Sequence, residues 1–217
     1  MHILGNWIQP GVPMGSICPV FRRSWSSQNS IRRAMLYLTA LGTYEAVLNG
    51  NRVSDEVLAP GWTAYEKRLQ VQCYDITHLI RPENCLEVTV GRGWFRSRLP
   101  GQVAHEDVER RHQQPCGILG WLVLTDEHNT TELIPTNTQW QWSESPIRYS
   151  ELYGGETYDA TFTPEQWSPV VPLNWKTDIL IPQEGEPITQ QERIAAKSVF
   201  TTPAGETIVD FGQEVTG

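Results

Sequence analysis

Between Met35 and Leu99 the chain alternates apolar and polar residues in several short runs, which is the period of half-buried β-strands. Met35 to Leu41 forms one run. In the next, Tyr44, Ala46 and Leu48 share a face. Asn49-Gly50 follows at once, and both residues tolerate the positive φ that a type I′ hairpin turn demands. Asn51-Arg52-Val53 leads out of that turn. Leu58 to Thr63 contains a Pro-Gly step and reads as a loop. Lys67 to Tyr74 alternates again, and the period predicts Leu69, Val71 and Cys73 on one face. Asp75 to Ile80 is expected to form a short helical turn halted by Pro82. Leu86, Val88 and Val90 then mark a further half-buried strand. Gly91 to Pro100 is a Gly- and Arg-rich bend carrying Trp94 and Phe95.

The flanks extend the pattern. Residues 1–20 hold Trp7, Pro10, Pro13 and Pro19, a density that disfavours helix and strand interiors. They are read as an extended arm packed on the domain or on a neighbour. Residues 21–180 are read as the β-sandwich itself. Phe21 to Trp25 is its first strand, with Phe21, Arg23 and Trp25 on one face. Ile118 to Thr125 is a buried strand, and Thr131 to Ile134 returns from its turn. Residues 101–115, with His105, Glu106 and Asp107, are the most polar segment and read as an exposed loop. Residues 181–217 are read as a linker and the first strands of a following β domain. Strands are expected within Ile188 to Phe200 and Thr207 to Phe211. The expected fold is all-β, a jelly-roll or galactose-binding-like sandwich with an extended N-terminal arm. With 217 residues the chain can bury a core without staples, and its 17 glycines and 15 prolines suit many short strands.

A formal charge of −8 sets the surface against phosphate backbones, so nucleic acid is not an expected partner. The four cysteines form no CxxC pair, which argues against a zinc site. No run approaches the ~18 apolar residues of a membrane span, and the first residues lack a signal-peptide pattern. No membrane association is expected, and the expected location is the cytoplasm.

The chemistry-bearing motifs are few. His105-Glu106 opens like a metalloprotease helix, but the next histidine is His112, not the i+4 residue that zinc requires. No GxSxG elbow and no phosphate loop is present. Glu156 and Asp159 flank Tyr158 in a Gly-rich stretch. An aromatic ring between two acids suits a sugar, whose apolar face stacks while its hydroxyls donate to carboxylates. The same oxygens suit calcium. The favoured plain alternative is that these acids bond only their own loop's amides. Most of the nine tryptophans are expected in the core. Trp62 and Trp94 sit in loops and are the candidates for a stacking platform.

Several segments, taken together, resemble the N-terminal domain of bacterial α-L-rhamnosidases, glycoside hydrolases of the family-78 type. They are Ala40 to Val53, Ala59-Pro60-Gly61-Trp62-Thr63-Ala64-Tyr65 with Lys67-Arg68, Tyr74 to Thr77, Gly91-Arg92-Gly93-Trp94-Phe95-Arg96, and Glu151 to Ala160. Ile208 to Gln213 resembles the opening of that family's next domain. The resemblance implies a modular enzyme in which β-sandwich domains precede an (α/α)6 barrel holding the catalytic acids. No catalytic residue is therefore assigned to this chain. It would be a non-catalytic accessory module, partnered by downstream domains of the same polypeptide and by L-rhamnose-containing glycosides. Alternatives are an independent rhamnose-binding module, with calcium as its only expected cofactor, and a purely structural scaffold. Trp94, Trp62, Glu156, Asp159 and Tyr158 are the candidate sugar contacts. Arg92, where the family usually has a small or acidic residue, and Thr161, where it commonly has Arg, depart from the pattern and weigh against sugar binding there.

Overall fold

A computed structural model describes residues 2–27, 29–98 and 111–215. The part of the polar segment holding His105, Glu106 and Asp107 lies outside the described residues. The strands are β1 (Ile8–Gln9), β2 (Pro19–Ser26), β3 (Ile31–Ala40), β4 (Thr43–Leu48), β5 (Asn51–Arg52), β6 (Leu69–Asp75), β7 (Glu83–Gly91), β8 (Ile118–Asp126), β9 (Thr131–Pro135) and β10 (Gln141–Glu144). They continue as β11 (Ile147–Glu151), β12 (Gly155–Tyr158), β13 (Ser168–Pro169), β14 (Val171–Pro172), β15 (Leu180–Pro182), β16 (Ser198–Thr201) and β17 (Thr207–Asp210). A one-turn helix, α1, spans Gly93–Arg96, and a 3-10 turn spans Thr77–Leu79. None of these helices is long and apolar enough to cross a membrane.

Two sheets form a β-sandwich. One runs β14-β1-β8-β3-β6-β15, with β9 also paired to β8, and the other runs β13-β10-β2-β7-β4-β5. Alternation explains the layering. Ala34, Leu36, Leu38 and Ala40 of β3 face Phe21 of β2, Ala46 and Leu48 of β4, and Leu86, Val88 and Val90 of β7 in one core. Glu87 and Thr89 point outward between them. Asn49 and Gly50 both have positive φ, 54° and 81°, as the expected hairpin turn requires.

Leu69, Val71 and Cys73 share one face of β6, as the period predicts, with Leu69 and Val71 buried and Cys73 exposed; two other expectations are corrected below. The opposite face of β6 carries Gln72 and Tyr74 inward as well, because Tyr44 supplies hydrogen-bond partners there: its Oη lies 2.8 Å from Tyr74 Oη and 3.0 Å from Gln72 Oε1. Leu69 and Val71 meet a second apolar cluster with Trp7, Phe95 and Trp121, so this sheet is covered on both faces. In the arm, Ile8-Gln9 forms a strand between β8 and β14 despite the nearby prolines. Ile188 to Phe200 is strand only from Ser198; its earlier residues make a single bridge, Glu56 to Thr189.

Turn chemistry makes the fold acid-sensitive. Asp126 Oδ1 accepts from the amides of Thr130 and His128, and Oδ2 accepts from Asn29 Nδ2. The Thr130 amide first, then those of His128 and Asn29, holds this carboxyl below the usual carboxylate range. Asp75 and Asp159 are lowered in the same way by Thr77 and Thr161. A depressed carboxyl stabilises the fold above the unfolded value near ~3.9, and that contribution is lost as pH falls through the folded value. Glu56 carries the opposite sign: burial raises it, so its cost is absent in acid and sets in as pH rises. Melting temperature is therefore expected to fall steeply below about pH 4. Asp126→Asn, which keeps an acceptor but no titration, should flatten that fall. An unchanged pH profile in the variant would refute the assignment.

Candidate functional site

The loop from Val57 to Tyr65 carries Trp62, and it is held by backbone acceptors rather than by regular structure. Ala59-Pro60 is cis, and Leu58 and Gly61 have φ of 60° and 87°. Gln70 Nε2 and Gln72 Nε2 both donate to Pro60 O, at 3.0 and 3.3 Å. The Tyr44 amide donates to Ala59 O, and Tyr65 Oη donates to Gly61 O. With its backbone fixed, the loop leaves Trp62 59% exposed.

Trp94 belongs to α1 rather than to a loop. Gly93 enters this turn with φ of 51°, and a Cβ there would lie 2.6 Å from Thr43 N, so the turn hugs β4 and requires glycine. The result brings the two candidates together: Trp62 and Trp94 stack with centroids 6.0 Å apart and planes 7° from parallel. That spacing leaves no room for a ligand between them, so the outer face of Trp62 is the one presented. The neighbouring aromatics continue the surface. Tyr65 meets Phe95 edge-on at 5.3 Å, and Phe95 meets Trp175 edge-on at 5.9 Å. Tyr65, Phe95, Trp175, Glu66, Arg111 and Lys176 line a groove of about 360 Å³, within the usual range for small-molecule sites.

Glu156 and Tyr158 lie on strand β12 rather than in a loop, two residues apart and both exposed. Asp159, just beyond, accepts from the Thr161 amide and hydroxyl at 2.9 and 2.6 Å. It therefore closes its own turn, as the plain alternative holds. Among the described residues no three His, Cys, Asp or Glu side chains converge as a metal site would require. Nothing in the geometry joins Glu156, Tyr158 or Asp159 to the Trp62–Trp94 stack.

A residue outside the candidate set connects the β11–β12 hairpin to α1. Glu151 Oε1 lies 2.5 Å from Arg92 Nη1 and 2.8 Å from His112 Nε2, and the side chains of Glu151 and Arg92 are only 7% and 9% exposed. Arg92 also donates to Gly15 O and lies over the Tyr149 ring. Arg111 Nη1 donates to Trp94 O at 3.0 Å. The departure at Arg92 thus has a structural role: it is the buried cation that Glu151 faces. Glu151 heads the Glu151 to Ala160 segment, but only its distant partners distinguish it from other surface acids. Tyr65 and Phe95 sit beside the chosen tryptophans in sequence, yet alternation alone does not separate them from core residues.

The model of the α-L-rhamnosidase N-terminal domain family matches residues 29–192. The chain belongs to that family. An α-L-rhamnosidase of Alteromonas sp. is 32% identical over 212 residues, which is 90% of this chain and 22% of that protein. The crystal structure of the α-L-rhamnosidase from Aspergillus terreus superposes with a TM-score of 0.85 at 31% identity, covering 96% of this chain and 26% of that one. The Streptomyces avermitilis α-L-rhamnosidase, complexed with L-rhamnose, superposes with a TM-score of 0.79 at 30% identity, covering 92% and 20%. The chain thus spans about a fifth to a quarter of the relatives it matches. In this family member, Gly91-Arg92-Gly93-Trp94 is the bend that builds α1 and half of the tryptophan stack.

Proposed function

We propose that this rhamnosidase N-terminal domain is a non-catalytic accessory module of an α-L-rhamnosidase, docked on further domains of the same polypeptide. The observation that carries this reading is the β16–β17 hairpin. It forms its own two-stranded sheet, in which Val199 pairs with Val209 and Phe200 with Ile208. Those pairs fall on opposite faces, and both faces are open: Val199 is 63% exposed, Phe200 50%, Val209 48% and Ile208 38%. A lone two-stranded sheet is marginal in water, and apolar faces of this kind mark an interaction surface. Relatives about four times longer supply the class of partner. Hydrolysis of terminal α-L-rhamnosides would then belong to a downstream domain, by an acid that protonates the leaving oxygen and a base that activates water.

Within this reading the outer face of Trp62 stacks on a rhamnosyl unit and extends the substrate cleft. The chain alone is expected to release nothing from a chromogenic α-L-rhamnoside; turnover by the chain would overturn the accessory role. Calorimetry with L-rhamnose should give a saturable heat that Trp62→Ala removes. That variant should lower the melting temperature by no more than about 1–6 °C, the loss of one stacked aromatic pair worth about 0.5–1.5 kcal/mol. Running both proteins with and without calcium tests the cofactor. Equal heats from Trp62→Ala and the parent chain would remove Trp62 from the recognition surface, and no heat in either would favour a purely structural scaffold.

A further inference from the structure

A further groove shares no lining residue with the Trp62–Trp94 stack or with the groove lined by Tyr65, Phe95 and Trp175. It has a volume of about 560 Å³. Its floor is Trp142, Ser143 and Glu144 of β10, and its wall is the segment from Thr161 to Ser168. Trp142 is 8% exposed, and most of its ring belongs to the core between the sheets.

The lining chemistry narrows the ligand. Glu144 and Glu165 contribute carboxylates, and Ser143, Thr161, Thr163 and Gln166 contribute neutral polar groups. The neighbouring cation, Arg148, is already engaged. Its Nη2 donates to Glu144 Oε2 at 2.8 Å, its Nη1 donates to Ser145 O at 3.3 Å, and its Cζ sits 4.7 Å from the Phe162 ring centroid. Among the described residues that line the groove, an anion would meet two carboxylates and no cation, so phosphates and acidic groups are disfavoured. A neutral polyol meets a matched surface: its hydroxyls donate to carboxylate oxygens, and a C–H face packs on Phe162. The wall is also ordered before any ligand arrives, because Asp159 holds the Thr161 amide and hydroxyl while Arg22 stacks 3.6 Å over Trp167.

We infer that the groove between β10 and residues 161–168 is a second glycan-binding subsite, one that takes a neutral sugar ring independently of Trp62. This goes beyond the Trp62 reading and does not depend on it. The test is a titration of the isotope-labelled 217-residue chain with L-rhamnose and, separately, D-glucose, followed by amide and indole N–H resonances. Saturable shifts of the Trp142 indole and of the Thr161 to Ser168 amides are expected with at least one sugar. Phe162→Ala and Glu165→Gln should each weaken that response about tenfold or more, and Trp62→Ala should leave it unchanged. Glu165 is exposed, so its variant tests the site without threatening the fold. The inference is overturned if neither sugar shifts these resonances at tens of millimolar, or if calcium chloride alone produces the same shifts. It is also overturned if Trp62→Ala abolishes the response while Phe162→Ala and Glu165→Gln preserve it, a result that would leave the Trp62 reading standing.

Discussion

Replacing Glu151 by alanine is expected to destabilise the domain by about 3–5 kcal/mol, the usual consequence of stranding one member of a buried ion pair. Arg92 is 7% exposed as a residue and faces Glu151 directly, with Gly15 O as its other hydrogen-bond acceptor. Without the carboxylate, its charge remains buried, with the Tyr149 ring and Gly15 O as its partners among the described residues. His112 Nε2 loses the same oxygen. For a domain of this size each kcal/mol shifts the melting temperature by about 2–4 °C, so a loss of roughly 6–20 °C is expected. The contrast is with Glu45 and Glu184, whose ion pairs with Arg52 and Arg68 are 40–67% exposed. Removing either should cost about 0–1 kcal/mol. The double variant Arg92→Met, Glu151→Leu separates charge burial from shape, because replacing a buried pair with apolar groups is often close to neutral. If Glu151→Ala melts within 2 °C of the parent, an effect below about 1 kcal/mol, the pair does not hold the β11–β12 hairpin to α1.

Gly93→Ala should be nearly as damaging and should act on the tryptophan stack. The φ of 51° costs an L-residue about 1–2 kcal/mol. The added Cβ would also press on Thr43 N and Cγ2, both 2.6 Å away, and overpacking of this kind costs about 1–3 kcal/mol. Thr43 opens β4 and is paired to Gly91, so β4 cannot easily retreat. The turn must instead back away and carry Trp94 with it. A melting temperature lower by roughly 4–20 °C is expected, together with altered tryptophan fluorescence as the stack opens. Gly50→Ala is the control: its Cβ would meet nothing within 4 Å, so it reports φ strain alone. Equal losses in the two variants would show that crowding against Thr43 is unimportant.

The sandwich was readable because its strands obey a strict two-residue period and its main hairpin carries Asn49-Gly50. The period says less where a strand is buried on both faces. On β6 it puts Leu69, Val71 and Cys73 on one face but does not say that the other face, with Gln72 and Tyr74, is buried too; that depends on partners. Tyr44 is such a partner, 30 residues from Tyr74 in sequence. Strand β1 escaped notice because two residues among prolines carry no periodic signal. The candidate site was legible only in part. Exposed loop tryptophans are conspicuous, and Trp62 and Trp94 proved to be stacked. Glu151 was invisible because nothing local distinguishes a buried carboxylate from a solvated one; its meaning comes from Arg92, 59 residues earlier. The β10 groove was hidden for the same reason, since its floor and wall come from separate segments.

The chain beyond β15 is not a free tether. Strand β15 zips parallel to β6, after which the Glu184 amide donates to Gln70 Oε1 and Gln183 Nε2 donates to Glu56 Oε1. The Val57 amide then donates to Ile188 O. Gln70 is also one of the residues that steady the Trp62 loop, through Pro60 O, and Glu56, just before that loop, accepts from Tyr74 Oη of β6. Residues 183–188 therefore act as a buckle across that loop, fastened on the way to the β16–β17 hairpin. The path from the sandwich to the hairpin therefore runs past the base of the Trp62 loop before β16 begins.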